Sequence, residues 1–341
     1  MGFAAAAGRV RRIGAAAVDA RTLRAQTLTE IGRVVPFDAY VWALTDPETS
    51  VGTDPLAAVP PALMPVLPRL IRLKYLTATN RWTSLTAAAR LTEPGASLMW
   101  RELLGAHGVT DIASAVFRDR FGCWGFLDLW RAGGVFTGPE LAFLDDVTEP
   151  LTADLRRCQA GTFTAAGGPS APGPVVLLLS PDMEVIEQTP QTREHLMRQL
   201  PPGAGAEPVP ASVYNVAAQL IAAESGVDPQ PPSARVHLAA GRWLTLRAAR
   251  LGAAGRTDAQ IAVTIEEASP AARTAVFARA FGLSPRETEL LTHLTSGADT
   301  RAVATDMFLS PNTVQDHLKS MFAKTGTRNR RTLLSRALGT A

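Results

Sequence analysis

The sequence predicts a multidomain α+β chain: an α/β/α block, a smaller antiparallel-sheet block, and a C-terminal all-α module of four helices. Three observations carry this. The 341 residues exceed the about 100–200 of a typical single domain. Gly161–Pro174 (GTFTAAGGPSAPGP) is built from Gly, Pro and small residues that cannot make a packed element. Beyond Ser269-Pro270, which looks like an N-cap with a first-turn proline, only short helical segments follow. The divisions are therefore 1–160, a linker at 161–174, 175–267, a connecting helix at 268–283, and 284–341.

In the first block, 9–34 is expected as one helix, 39–45 as a strand, 63–76 as a helix and 101–106 as a short helix. Phe121–Trp130 (FGCWGFLDLW) is the strongest strand: both of its faces are apolar until Asp128, as in a central strand covered on both sides. A helix over 138–160 closes the block, with Leu141, Leu144 and Leu151 inward. In the second block, strands are expected at 175–179 and 183–186, helices at 191–200 and 213–223, and strands at 235–239, 243–251 and 260–266. In the connector, Val276, Phe277, Ala280 and Phe281 form one stripe, so it should pack against a neighbour.

Composition narrows the class. At 46% hydrophobic and 19% charged, the chain is that of a folded protein. Between 281 and 341, eight Arg/Lys face five Asp/Glu, so this short module alone carries the formal net charge of +3. That suits a polyanionic partner. Two of the three lysines, Lys319 and Lys324, lie there; the third is Lys74. Cys123 and Cys158 have no zinc-ligand spacing and are expected as reduced thiols. The apolar run before Arg9, Arg11 and Arg12 has the wrong order for a signal peptide. The longest charge-free stretch, Cys158–Pro181, is too rich in Gly and Pro for a membrane span. A cytoplasmic protein without membrane contact is expected.

The C-terminal module repays reading residue by residue. Ser284-Pro285-Arg286-Glu287 is a capping box with proline at the first helical position. Leu290, Leu291 and Leu294 supply an apolar face, and Gly297 can end the helix in the left-handed conformation. The second helix, from Thr300, should turn Val303, Ala304, Met307 and Phe308 inward. Ser310-Pro311 opens a third helix that Gly326 ends, and Asn329 caps a fourth carrying Leu333, Leu334, Ala337 and Leu338. At about 100° per residue, Val314, Leu318, Met321 and Thr325 fall on one side of the third helix. Asn312, Asp316, Lys319 and Ala323 point the other way, flanked by Gln315 and Ser320. A helix packed on one side and polar on the other can enter a major groove.

Leu283-Ser284-Pro285-Arg286-Glu287, Leu309-Ser310-Pro311-Asn312-Thr313-Val314, His317, Lys324, Gly326 and Arg330 resemble the LuxR-type helix-turn-helix over about 58 residues. The resemblance implies four helices, the third reading double-stranded DNA and the fourth often dimerising. Its implied contact residues are Asn312, Thr313, Gln315, Asp316, Lys319, Ser320, Lys324 and Arg330. It departs from the family pattern at Gln315 (usually basic), Thr325 (usually Leu) and Ala302 (commonly Glu). His317, beside the buried face, is expected to be structural.

The order of elements over 9–160 resembles a GAF domain, and 175–267 a degenerate PAS domain; such domains bind small molecules, dimerise, or both. Five of the six tryptophans lie in the first block (Trp42, Trp82, Trp100, Trp124, Trp130), where core and dimer packing is the expected reading and an aromatic pocket the alternative. There is no Asn-Lys dipeptide of cyclic-nucleotide GAF domains, no P-loop and no receiver-type acidic pair with a lysine. His195 stands where a haem ligand can occur in such folds. No cofactor, metal site or catalytic constellation is expected, and no ligand-binding residue is identifiable. The expected function is a bacterial DNA-binding transcriptional regulator, a homodimer, with a small-molecule effector and RNA polymerase as candidate partners. The alternatives are an enzyme with an appended DNA-binding module and a front half that only dimerises. An open pocket with convergent polar groups favours sensing; a filled core favours dimerisation.

Overall fold

The computed structural model describes residues 2–164, 175–189, 192, 209–238, 241–252 and 256–340. The first block starts with α1 (Phe3–Ala16) and α2 (Ala20–Gly32), not one helix. The break has a local cause: Asp19 caps α2 by accepting from the Thr22 amide at 2.8 Å. α2 also carries Arg24, fully buried, whose guanidinium bonds the Trp42 and Asp54 carbonyls and pairs with the Asp54 carboxylate at 2.6 Å.

Strands β1 (Ala39–Thr45), β2 (Gly52–Ala58), β3 (Ala89–Arg90), β4 (Asp111–Asp119) and β5 (Gly122–Arg131) form an antiparallel sheet in the order β2-β1-β5-β4-β3. β5 is central and buried along both faces, as its apolar run requires. Three strands were not expected. β2 contains Asp54 and Pro55, which only an edge strand tolerates, β3 is two residues long, and β4 carries several small side chains.

One sheet face packs Trp42, Phe117, Leu127 and Leu129 against Val10 of α1 and Leu144 and Leu151 of α4 (Gly138–Gly161). The other lies under α3 (Leu67–Leu76), which a 3-10 turn at Pro61–Val66 precedes. The short helix expected near 101–106 is a π-turn, Trp100–Leu104, followed by a 3-10 turn.

The second block repeats the arrangement. Strands β6 (Val175–Leu179), β7 (Val185–Gln188), β8 (Ser233–His237), β9 (Trp243–Arg250) and β10 (Ile261–Glu267) lie in the order β7-β6-β10-β9-β8, covered by α5 (Ala211–Glu224). Counted within each block, both sheets read 2-1-5-4-3. Of the helix expected at 191–200 only Thr192 is described, and His195 falls outside the described residues.

The blocks share a core. Ala43, Tyr75, Trp82 and Phe126 cluster with Val213, Ala217, Leu246 and Val263. Two buried ion pairs cross the boundary: Arg81–Asp228 at 2.7 Å, both side chains 3% exposed, and Asp46–Arg235 at 2.6 Å. Burial works against the Asp46 charge, but hydrogen bonds and charge from Arg235 hold its carboxyl below the usual range. Phe163, inside the segment read as linker, is fully buried, stacked on Trp243 at 4.9 Å and edge-on to Phe277 at 5.2 Å.

The connector is α6 (Pro270–Ala280), capped by Ser269, and its Val276, Phe277 and Ala280 are buried as the stripe predicts. Arg279 donates to the Phe121 carbonyl at 2.9 Å, in the β4–β5 turn. Gly282 follows at φ +62°, a left-handed conformation strained for other residues, so the turn off the front block favours glycine.

Candidate nucleic-acid interface and front cavity

Three of the four helices of the C-terminal module are started by the cap that the sequence marks, and the second is started by Asp299, which the sequence reading did not mark. In α7 (Pro285–Thr295) the Ser284 amide donates to Glu287 Oε2 at 2.6 Å while Ser284 Oγ accepts from the Glu287 amide. Asp299 caps α8 (Thr300–Asp306), Ser310 caps α9 (Pro311–Thr325) and Asn329 caps α10 (Arg330–Leu338). Gly297 and Gly326 are left-handed, at φ +92° and +63°.

Val303, Ala304 and Met307 are buried, but Phe308 is not: its φ is +55° and it is 94% exposed. The helix ends at Asp306, so the periodicity that would turn Phe308 inward no longer applies, and the left-handed turn swings it into solvent.

α9 buries Val314, Leu318, Met321 and Thr325. Asn312, Gln315, Asp316 and Lys319 lie exposed, with Lys319 Nζ 3.1 Å from Asp316 Oδ1 and both side chains about three-quarters in solvent. Thr313 is half-buried, its hydroxyl 2.9 Å from Ser310 Oγ. The other three residues implied as contacts are held by protein groups. Ser320 and Lys324 both donate to the Glu287 carboxylate at 2.6 Å, and Arg330 donates to the Ala298 carbonyl at 2.5 Å. The two bonds to Glu287 brace the third helix against the first, and that of Arg330 ties the fourth helix to the turn after the first. Thr325 also has a local role: its hydroxyl donates to the Met321 carbonyl at 2.7 Å and meets Thr327 Oγ1 at 2.9 Å.

Burial opposes the charge on Glu287, but Lys324, Ser320 and the Ser284 amide outweigh it and hold the carboxyl down to about 2. A depressed carboxyl stabilises the fold above its ordinary range near 4.5, and that stabilisation is lost as pH falls toward 2. The effect is on the order of 2–3 kcal/mol. Unfolding of the wild-type chain measured from pH 6 to 2.5 should therefore steepen in acid more than that of Glu287→Gln. Equal pH slopes would remove Glu287 as the cause.

The last helix is less open than its stripe suggests. Leu333 and Ala337 are fully buried, in a core shared with Val276 and Phe277 of α6. Leu334 and Leu338 are half-buried. Arg273 of α6, 5% exposed, reaches the carbonyls of Ala337 and Arg336 at the end of α10, Gly241 in the β8–β9 turn and Thr164 after α4. Burial lowers its pKa to about 10, still cationic at neutral pH. Arg336 adds bonds to the carbonyls of Phe163 and Thr325. Nothing in the sequence spacing marks Arg273, Arg336 or Phe163, because the arginines bond carbonyls and Phe163 packs on rings that lie outside their own local stretch of chain.

Residues 282–337 match the family described as bacterial regulatory proteins, luxR family. The C-terminal module is a LuxR-family helix-turn-helix. Over 88 residues the chain is 36% identical to the probable HTH-type transcriptional regulator GfsR of Streptomyces halstedii. That stretch is 26% of this chain and 36% of that protein, so the chain spans about a third of the relative's length. Among solved structures, it is similar to SdiA in complex with octanoyl-rac-glycerol (13% identical, covering 100% of this chain and 89% of that one, TM-score 0.26). It is also similar to the sensor region of a sensor histidine kinase (16% identical, covering 68% and 84%, TM-score 0.19). Neither similarity carries over a ligand or an overall fold. The LuxR-type module thus stands on a front half whose role has to be argued from its own residues.

That front half holds a cavity of about 380 Å³ between the first sheet, α3 and the start of α5. Its floor is the face of β1, β2 and β5 that carries Val41, Ala57, Phe126, Asp128 and Trp130. Lys74 of α3 pairs with Asp128 at 2.6 Å, and Ser114 Oγ donates to the other Asp128 oxygen at 2.7 Å. Tyr75 and Asn215 hold the two backbone groups of Gly52: the hydroxyl accepts from its amide and the amide side chain donates to its carbonyl, each at 2.9 Å. Burial pushes the Tyr75 phenol upward, so it stays neutral. Both cysteines are buried and free, and burial pushes the Cys158 thiol up to about 11. Among the described residues no group of three His, Cys, Asp or Glu could hold a metal ion, and no helix is long and apolar enough to cross a membrane.

Proposed function

We propose that the protein is a transcriptional regulator that binds double-stranded DNA through α9 and is controlled by a small-molecule effector in the front cavity. The observation that carries this is the exposed set Asn312, Gln315, Asp316 and Lys319 on a fully capped LuxR-family helix-turn-helix. Lys324, Ser320 and Arg330 then serve first as braces; Thr313 and Lys324 reach phosphate at the edge of the same face. Phe308, exposed at the turn before α9, joins that edge. The effector reading, with GAF-like and PAS-like front domains, is favoured over a dimerisation-only front half by the cavity and its convergent Lys74, Asp128, Tyr75 and Asn215. The repeated 2-1-5-4-3 strand order supports two related sensory folds.

We place the chain as a homodimer reading half-sites about 10 bp apart. Because α6 covers Leu333 and Ala337, pairing through α10 requires the connector to move off them, which gives the front half a means of control. RNA polymerase is the proposed partner of the bound dimer, which acts in the cytoplasm.

Binding sites selected from random duplexes provide the operator for the test. Lys319→Ala should weaken operator binding by about 1–3 kcal/mol and relax preference at one base pair if the lysine reads a base. A loss equal on all sequences would assign it to phosphate. Operator affinity unchanged in Lys319→Ala and in Gln315→Ala would overturn α9 as the reading helix. Sedimentation showing a monomer both free and on full operator DNA would overturn the dimer.

A further inference from the structure

We infer that the front cavity takes an uncharged, mainly apolar small molecule whose carbonyl-type oxygen is held by Lys74 and Trp130. The inference rests on the effector reading above and names the chemistry that the site accepts. Most of the lining is aliphatic or aromatic, from Val41, Leu70, Ile71 and Met99 among others, so most of a ligand's surface would be buried against apolar groups. The polar groups are few and their charges cancel. Asp128 is 3% exposed and Lys74 14%, and they pair at 2.6 Å. An anionic ligand would either draw Lys74 off Asp128 or share it, and in both cases one buried negative charge is left uncompensated. A cationic ligand would have to displace Lys74 from the same carboxylate. Each exchange leaves a charge in an apolar wall, whereas a neutral ligand leaves the pair intact.

What remains on offer is donors. An ammonium carries three, and the ion-pair partner of Lys74 among the described residues is Asp128. Its Nζ otherwise faces the rings of Trp82 and Phe126, with centroids 5.5 and 5.3 Å away. The Asp128 oxygens are already engaged by Lys74 and Ser114. Trp130 stands two residues beyond Asp128 on the same strand face, 2% exposed and lining the cavity, and its indole N–H has no hydrogen-bond partner among the described residues. These two donors, that of Trp130 without a partner among the described residues, favour a ligand that brings an acceptor, such as a ketone, ester or amide oxygen.

Ala211 and Asn215, at the start of α5, also line the cavity, and Asn215 is bonded to Gly52 across the block boundary. α5 packs on the second sheet, so a ligand seated here touches both blocks at once.

Three probes with one apolar body separate the head groups: 2-acetylnaphthalene, 2-naphthoate and 2-naphthylmethylammonium, titrated into the full chain at pH 7.5 and followed by tryptophan fluorescence. The ketone is expected to bind at least tenfold more tightly than either ion. Ala211→Phe, which narrows the cavity from α5, should abolish its binding. Lys74→Met/Asp128→Asn, which removes both charges together, should weaken it by tenfold or more while circular dichroism stays unchanged. Tighter binding of naphthoate or of the ammonium probe overturns the inference, and if that probe also shifts operator affinity the effector reading survives. Ketone binding that persists undiminished in Ala211→Phe places it elsewhere and also overturns the inference. If no probe binds and protein purified from its host carries no small-molecule adduct by native mass spectrometry, both fall.

Discussion

Arg273→Met is expected to lower the stability of the full chain by about 3–5 kcal/mol and to loosen α10 from the front half. The guanidinium is the sole side chain tying the end of α10, the β8–β9 turn and the segment after α4 to one point among the described residues. Removing it leaves four carbonyls short of a charged donor, and groups buried without a partner cost about 1–3 kcal/mol each, though not additively. Methionine keeps the apolar stem over Phe163, whose ring centroid lies 5.1 Å from the guanidinium carbon, so the loss reports the hydrogen bonds more than the packing. Urea unfolding gives the stability, and hydrogen exchange of the α10 amides gives the local effect. A change below about 1 kcal/mol with α10 equally protected would show that the carbonyl ties do not hold the module in place.

Asp228→Ala is expected to cost a similar amount, about 3–5 kcal/mol, by stranding Arg81 in the interface between the two front blocks. Arg81 has other partners, including the Gln219 side chain at 3.2 Å and the Trp82 ring, but among the described residues no second carboxylate pairs with it. The double change Arg81→Met/Asp228→Leu should recover most of the loss, because it removes both charges from a site where desolvation offsets much of their attraction. Thermal unfolding of the three variants checks this. If Asp228→Ala melts with the wild type, the pair is not what holds the blocks together.

The C-terminal module was legible almost to the residue. Its caps, its left-handed glycines and the buried side of α9 follow from interactions within three or four residues, which one stretch of sequence contains whole. Phe308 escaped for the same reason: one positive φ ended the periodicity there. In the front half, β1, β5 and α4 announced themselves through length and apolar pattern. β2 and β4 did not, since proline and small side chains dilute the signal. The candidate cavity was invisible. Lys74 and Asp128 are 54 positions apart in the chain, and only sheet register and the α3 crossing bring them within 2.6 Å.

Sequence by itself determined the identity of the module that reads DNA, the local course of its helices, the central strand of the first sheet and the apolar stripe of the connector. Each depends on near neighbours in the chain and on periods of two or 3.6 residues. Tertiary structure alone decided that the two front blocks form one packed body, that Phe163 anchors the segment read as a linker, and that α6 covers the last helix. It also decided that the lone front lysine closes on a buried carboxylate at the edge of a cavity. The physical reason is common to all four: buried charges, carbonyls and apolar side chains find their partners wherever the fold puts them, and sequence spacing carries no record of that distance.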